Sequence, residues 1–473
     1  MAGTLHPTAP TASAPDAPYC DSASLWRVTN GFFILALACF AADFAFLFLL
    51  RSHEIPNILA WCAAIGAGCG WALSAKAREA AGRHGAGSPP RYLSAEAWSA
   101  FAVFTAFLAF YAETGWMAPS PYKAHVLEAA TILRGHLYID MFPEKGAIEH
   151  AIFHGHWYEL HPPLPAILML PLAAIWGTNV NQTVFSLIWG AFDMALAWWM
   201  LGRLEISTKS RCWLTIFFGA GTTLWWEALN GGSWDVTQTV AIGFTLAALA
   251  EVFGKARPWL VGLLAGLAAL ARYDLGPEFP IYAALVYLRR RNWRELIWLV
   301  PGFALSGVVF VGMNELRYHS WFDRSLALIA VGIIGNAPLF STRYFTSNLN
   351  TLLFLAPSLN HKFPYLHPRS AGQAITFTSP AFILALRASL REMDTLLIWG
   401  GVLIAMLPSL FFVWNGMVQV GVRHYLHGYP FLLVLMALGM KRHTDQLAII
   451  LIVVSFALVA FTVWHVQIWG LTG

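Results

Sequence analysis

The sequence predicts an all-α polytopic membrane protein, and three observations carry that prediction. Of the 473 residues, 58% are hydrophobic and 11% are charged, whereas an ordinary soluble domain carries about 25% charged residues. A surface so poor in charge needs lipid as its solvent, and the mean hydropathy of +0.58 agrees. The apolar residues also gather into runs near the ~20 residues that a helix needs to cross the hydrocarbon core. The net charge of +4 is too small for a nucleic-acid footprint, which needs basic residues clustered on one face.

Residues 1–25 are rich in Ala, Pro, Ser and Thr and hold no Lys or Arg, so they are expected to form a disordered cytoplasmic tail. A cleavable signal peptide would start basic and continue apolar. Clear spans are expected at 28–50, 57–75, 97–115, 183–201, 212–229, 235–254, 295–315, 395–414 and 446–466. Shorter spans at 259–272, 277–289, 374–390 and 428–440 follow from the topology. The segment 26–96 reads as two added spans and a basic loop, 97–440 as the core, and 441–473 as a last span.

Orientation follows from Lys and Arg in the short loops. Lys76 to Arg91, Arg203 to Arg211, Lys255 with Arg257, Arg289 to Arg294, and Lys441 with Arg442 form a basic set, expected inside. Trp226 to Asp235, Tyr273 to Glu278 and Asn415 to Tyr429 form an aromatic, polar set, expected outside. The loops alternate if 162–177, which is short and holds four prolines, lies as an interfacial helix instead of spanning. About thirteen spans result, with the N-terminus inside and the C-terminus outside. None of the cysteines (Cys20, Cys39, Cys62, Cys69, Cys212) falls in an outer loop, so no structural disulfide is expected.

Two long outer segments, 116–182 and 316–373, then become the places to look for chemistry. The first opens with an amphipathic stretch, Val126, Ala129, Ala130 and Leu133, and is dense in titratable groups. Glu113 stands just before it, and Asp140, Glu144, Glu149, His150, Glu159 and His161 lie within it. Six of the sixteen histidines fall between His125 and His161. A carboxylate under an apolar roof suits a general base; a merely solvated loop would not need the flanking aromatics and prolines. His154 and His156 would share a face only on a strand. With no third ligand defined, no metal is assigned to them, and a divalent ion stays an open alternative. No Gly-rich phosphate loop, Ser-His-Asp motif or zinc pattern is present.

Charges also mark the outer ends of later spans: Arg272, Tyr273 and Asp274, then Glu315 and Arg317, then Arg423, His424 and Tyr425. Ionisable groups at membrane depth are costly and usually functional, the plain alternative being snorkelling to the interface. Arg423 has no acidic neighbour in sequence, which suits an anion. Glu227 and Asp235 bracket the turn-rich LNGGSW.

These features come in an order that resembles the bacterial membrane glycosyltransferases of the GT-C superfamily, the class of protein mannosyltransferase-like and lipid A sugar transferases. Tyr122-x-x-His125-x-x-x-Ala129-x-x-x-Leu133-x-Gly135 follows the first core span. His156-Trp-Tyr-x-x-His-Pro-Pro-Leu-Pro-Ala comes next, then LAGLAALARYDLGPEFPIY, NELRYHSWFD, TSPAFILAL and VQVGVRHYLHGYPFLLVLMALG, over roughly 97–440. The resemblance implies a GT-C-like bundle in a bacterial inner membrane. It also implies an enzyme passing a sugar from a polyprenyl-phosphate donor to a lipid or glycan acceptor on the outer face, with an acid of the first outer loop as base. The acid expected soon after the first core span is absent, since 118–122 read Ala-Pro-Ser-Pro-Tyr. Glu149 is therefore the first candidate for the base and Glu113 the second. Arg272, Arg423, Arg317 and His161 are the candidates for the donor phosphate, and His150, Tyr158, Asp274 and Tyr425 for acceptor or supporting roles. A lipid-linked glycan ligase or polymerase is the nearest alternative, although its main outer loop would come late. A transporter or flippase is the other, although no internal repeat is visible and Asp43 and Asp193 are the main mid-span acids.

Overall fold

The structure, a computed structural model, describes residues 22–50, 58–83, 94–115, 117–140, 149–335, 337–361, 363–440 and 444–470. The 1–21 part of the tail, Cys20, Glu144, residues 84–93 of the basic loop and the side chain of Asp43 lie outside them.

The described chain is almost wholly helical. It opens with α1 (Ser22–Leu50), α2 (Ile58–Arg83) and α3 (Ala95–Thr114), the last capped by Ser94, which accepts from the Ala97 amide. The first long segment folds as α4 (Ala124–Ile132), a hairpin of β1 (His150–Phe153) and β2 (His156–Glu159), and α5 (Leu164–Trp176). Then come α6 (Gln182–Leu201), α7 (Thr208–Ala220), α8 (Leu224–Leu229), α9 (Ser233–Val252), α10 (Pro258–Ala271), α11 (Phe279–Arg290) and α12 (Leu299–Tyr318). The second long segment holds α13 (Ser325–Ile334), α14 (Phe345–Phe354) and a small antiparallel pair, β3 (Ser358–Leu359) with β4 (Leu366–His367). Four helices follow: α15 (Ile375–Thr378), α16 (Met393–Phe411), α17 (Tyr429–Gly439) and α18 (Gln446–Trp469).

Among the described residues, seven helices are long and apolar enough to cross a membrane: α1, α3, α6, α9, α12, α16 and α18. Two expected spans are not single helices. The 212–229 run is broken after Ala220, where Gly221 ends α7 and the Thr222 hydroxyl donates to the Phe218 carbonyl, turning the chain into α8. The 374–390 run is α15 followed by 3-10 turns over Pro380–Arg387. Pro380 has no N–H for a helix and disfavours helical geometry at Ser379, which sits at φ −137° and ψ 58°. The first long segment also contains the hairpin, which the apolar pattern did not indicate. His154 and Gly155 form its turn, both at positive φ (49° and 81°), the requirement of a tight two-residue turn.

Small residues let the helices that carry the site approach closely. Gly262 and Gly266 of α10, spaced by four, face Gly302 and Ser306 of α12. A Cβ at Gly262 would collide with the Leu299 carbonyl, and one at Gly302 with the Trp259 carbonyl. α9 is almost entirely enclosed and forms the centre of the bundle.

Helix ends sort onto two faces. At one end the basic loops meet: Arg211 pairs with Glu96, Ser210 bonds Thr444, Arg387 pairs with Asp445, and Arg257 pairs with Glu251. At the other end Gln467 donates to the Thr114 carbonyl, Asn181 to the Met117 carbonyl, and Gln182 to the carbonyls of Tyr122 and Gly231.

Candidate active site

The non-basic end gathers residues that are far apart in sequence, and α9 is its hub. Gly231 lets the loop before α9 press onto the start of α6, where a Cβ would strike Thr183. That contact delivers Ser233 and Asp235 to the base of the first long segment. The Ser233 amide donates to Glu149 Oε1 at 3.3 Å, and Ser233 Oγ lies 3.4 Å from Oε2. Glu149 is almost fully buried. Burial first, then the charge of Glu159, raises its proton affinity well above the usual carboxylate range, against the Ser233 hydrogen bonds.

A cavity of about 350 Å³ opens beside this point, lined by Tyr122, Thr183, Trp226, Trp234, Asp235 and Gln467 among others. The Arg423 guanidinium lies 5.2 Å from the centre of the Trp234 ring and donates to the Met417 carbonyl at 3.2 Å. The charges nearest in effect to Arg423 are those of Asp235, Glu227, Arg272 and Glu149. Arg272 ends α10 and donates through Nε to Asp274 Oδ1 at 3.3 Å, while Asp274 Oδ2 lies 3.2 Å from His427 Nδ1. Burial alone would raise the Asp274 pKa; Arg272 and then His427 overcome it and hold the group ionised. Asp274 thus fixes Arg272 in place, and His427 is the partner of this triad that sequence alone did not reveal. The larger cavity of about 550 Å³ lies at the basic end, among loop residues such as Glu96, Arg203 and Arg257.

The remaining candidates fall differently. Glu113 lies at the end of α3, and its charge acts on Cys39 of α1. Arg317, expected at the donor phosphate, is buried in an ion pair with Glu128 of α4; a guanidinium enclosed with a carboxylate is already neutralised. His161, expected there as well, has Nδ1 2.7 Å from Glu159 Oε1. Burial first, and then the surrounding His125, Arg272 and Arg423, hold its pKa well below the usual histidine range, so it is neutral and attracts no anion. Tyr425 is buried and donates to the Asn348 carbonyl at 3.2 Å, anchoring α14. Tyr158 packs on Tyr318, and His150 lies edge-on to Trp157. His154 and His156 do not converge on a ligand set: both are exposed, His154 stacked on Phe153 and His156 tilted against Tyr138.

Chemically, the arrangement offers a buried, hydrogen-bonded carboxylate at Glu149, a second carboxylate lining the cavity at Asp235, and two cations, Arg272 and Arg423, held by separate elements near them. Comparison of the chain with protein-family models, with curated proteins and with solved structures gives no match.

Proposed function

We propose that the protein is a membrane glycosyltransferase that moves a sugar from a polyprenyl-phosphate donor to a lipid or glycan acceptor at the outer face of a bacterial inner membrane. The observation that carries this reading is that Asp235 lines a cavity at the non-basic end of an apolar bundle, while the charges of Asp235, Arg272 and Glu149 all act on Arg423, whose guanidinium lies against the cavity's Trp234. The ordered GT-C-like motifs support it. The acceptor hydroxyl attacks the anomeric carbon, the bond to the phosphate oxygen breaks, and Glu149 takes the hydroxyl proton. Arg272 and Arg423 stabilise the charge developing on the leaving phosphate, and their planar forks suit its paired oxygens. Purified protein supplied with a radiolabelled polyprenyl-phosphate sugar should release carrier phosphate; a preparation that never does so, with any sugar or lipid acceptor supplied, overturns the reading.

In this proposal about thirteen segments cross the bilayer, the N-terminus is inside and the C-terminus outside, and α5 lies at the outer interface. Cysteines placed at Ser120 and Ser88 should then label from outside only at the first position. Labelling at position 88 reverses the orientation.

The phosphate assignment makes a separate prediction. Arg272→Ala or Arg423→Ala should each weaken binding of polyprenyl phosphate by about ten- to a hundredfold, the scale of one lost hydrogen bond to a charged group. Normal affinity in both variants, read by calorimetry or by competition with a labelled lipid, places the anion elsewhere.

A further inference from the structure

A second cluster lies behind the first, and the sugar-transfer reading does not use it. His125, Glu159 and His161 each bring a ligand atom within 4.8 Å of the others. They come from α4, the end of β2 and the turn after it, and His125 and Glu159 are almost fully buried. Two imidazoles and a carboxylate are a common donor set for a divalent transition metal.

The detail of the hydrogen bonding supports more than proximity. His125 Nε2 lies 3.1 Å from the Ser233 carbonyl. A carbonyl only accepts, so Nε2 carries a proton and Nδ1 is the nitrogen that faces inward. That Nδ1 is enclosed and has no hydrogen-bond partner. A ring N–H held by a backbone carbonyl, with the other nitrogen bare, is the arrangement in which protein metal sites orient their histidines. Glu159 is held the same way: Oε1 accepts from the His161 amide at 3.1 Å, while Oε2 is buried without a partner. Glu128 Oε2, also buried and unpartnered, lies 3.9 Å from His125 Nδ1. The Glu128 charge is already met by Arg317, but His125 Nδ1 and Glu159 Oε2 are left as two enclosed acceptor atoms without a donor, a costly arrangement unless a cation lies between them.

We infer that His125, Glu159 and His161 bind one divalent transition-metal ion of the zinc class. Binding displaces any proton shared between His161 and Glu159, and a small inward movement brings all three donors to the 2.0–2.2 Å that zinc requires. The site stands without the sugar-transfer reading.

The test needs no donor lipid. Full-length protein in detergent, stripped with a chelator and dialysed, is titrated with Zn²⁺ by calorimetry. One Zn²⁺ per chain is expected. His125→Ala and Glu159→Gln should each weaken it by at least about tenfold, while a His154→Ala, His156→Ala double variant binds like the wild type. X-ray absorption at the zinc edge of the wild-type protein should show two imidazole nitrogens and a carboxylate oxygen near ~2.0–2.2 Å, a readout that does not depend on any variant folding. No stoichiometric binding, an oxygen-only shell, or a loss confined to the His154/His156 variant overturns the inference. Because transfer is not measured, its failure leaves the sugar-transfer reading to its own assay.

Discussion

Glu149→Gln should bind the donor with near wild-type affinity and turn over about 10²–10⁴-fold more slowly, the usual cost of losing a general base. Gln keeps the shape and still accepts from the Ser233 amide, so the change removes proton acceptance with little change in packing. The pH profile provides an independent check. Burial raises the Glu149 pKa above the ordinary carboxylate range, so the proton leaves later as pH rises. Only the deprotonated form serves as base. The rate should therefore climb with pH over a range lying above the usual carboxylate titration, and that limb should vanish in the Gln variant. Asp235→Asn is the decisive comparison, because Asp235 lines the cavity whereas Glu149 is reached through Ser233. If Asp235→Asn takes the large loss and Glu149→Gln does not, the base is Asp235. If neither slows turnover, the carboxylates have no part in the chemistry.

The sequence displayed the apolar helices well because lipid exposure is written in composition: long runs poor in charge are the signature of a chain with lipid as its solvent. It displayed the helices as lengths of apolar chain, and it failed where length is not the deciding quantity. Gly221 and Pro380 break two expected spans by local geometry, which an apolar average does not register. The hairpin escaped notice because its signal is a His154-Gly155 turn and four-residue strands, and both strands are flanked by titratable groups. Glu149, Arg272 and Arg423 were legible as charges beside apolar runs. Their company was not, since Ser233, Asp235 and His427 come from other helices and meet them only through α9 and the turn before α17. Arg317 misled for the same reason: its partner Glu128 stands 189 positions away, and nothing local to either residue announces the pair.

That pair is expected to govern stability more than any other ionic contact described here. The Arg317 side chain is 3% exposed and that of Glu128 2%, so neither charge has water to fall back on. Burying both has a large desolvation cost, which their mutual attraction offsets only while both are present. Glu128→Gln should therefore destabilise the protein by about 3–5 kcal/mol, because it strands a buried guanidinium. Arg317→Met should cost a similar amount by stranding the carboxylate. The double variant Glu128→Leu, Arg317→Met removes both charges together and should recover most of the loss, since apolar replacement of a whole buried pair is often neutral or better. The three variants are compared by the midpoint of thermal unfolding in detergent, in the presence of a chelator so that metal at His125 does not contribute. A double variant less stable than either single one would mean that the pair supports stability through more than charge balance. A Glu128→Gln variant as stable as the wild type would mean that water reaches Arg317 after all.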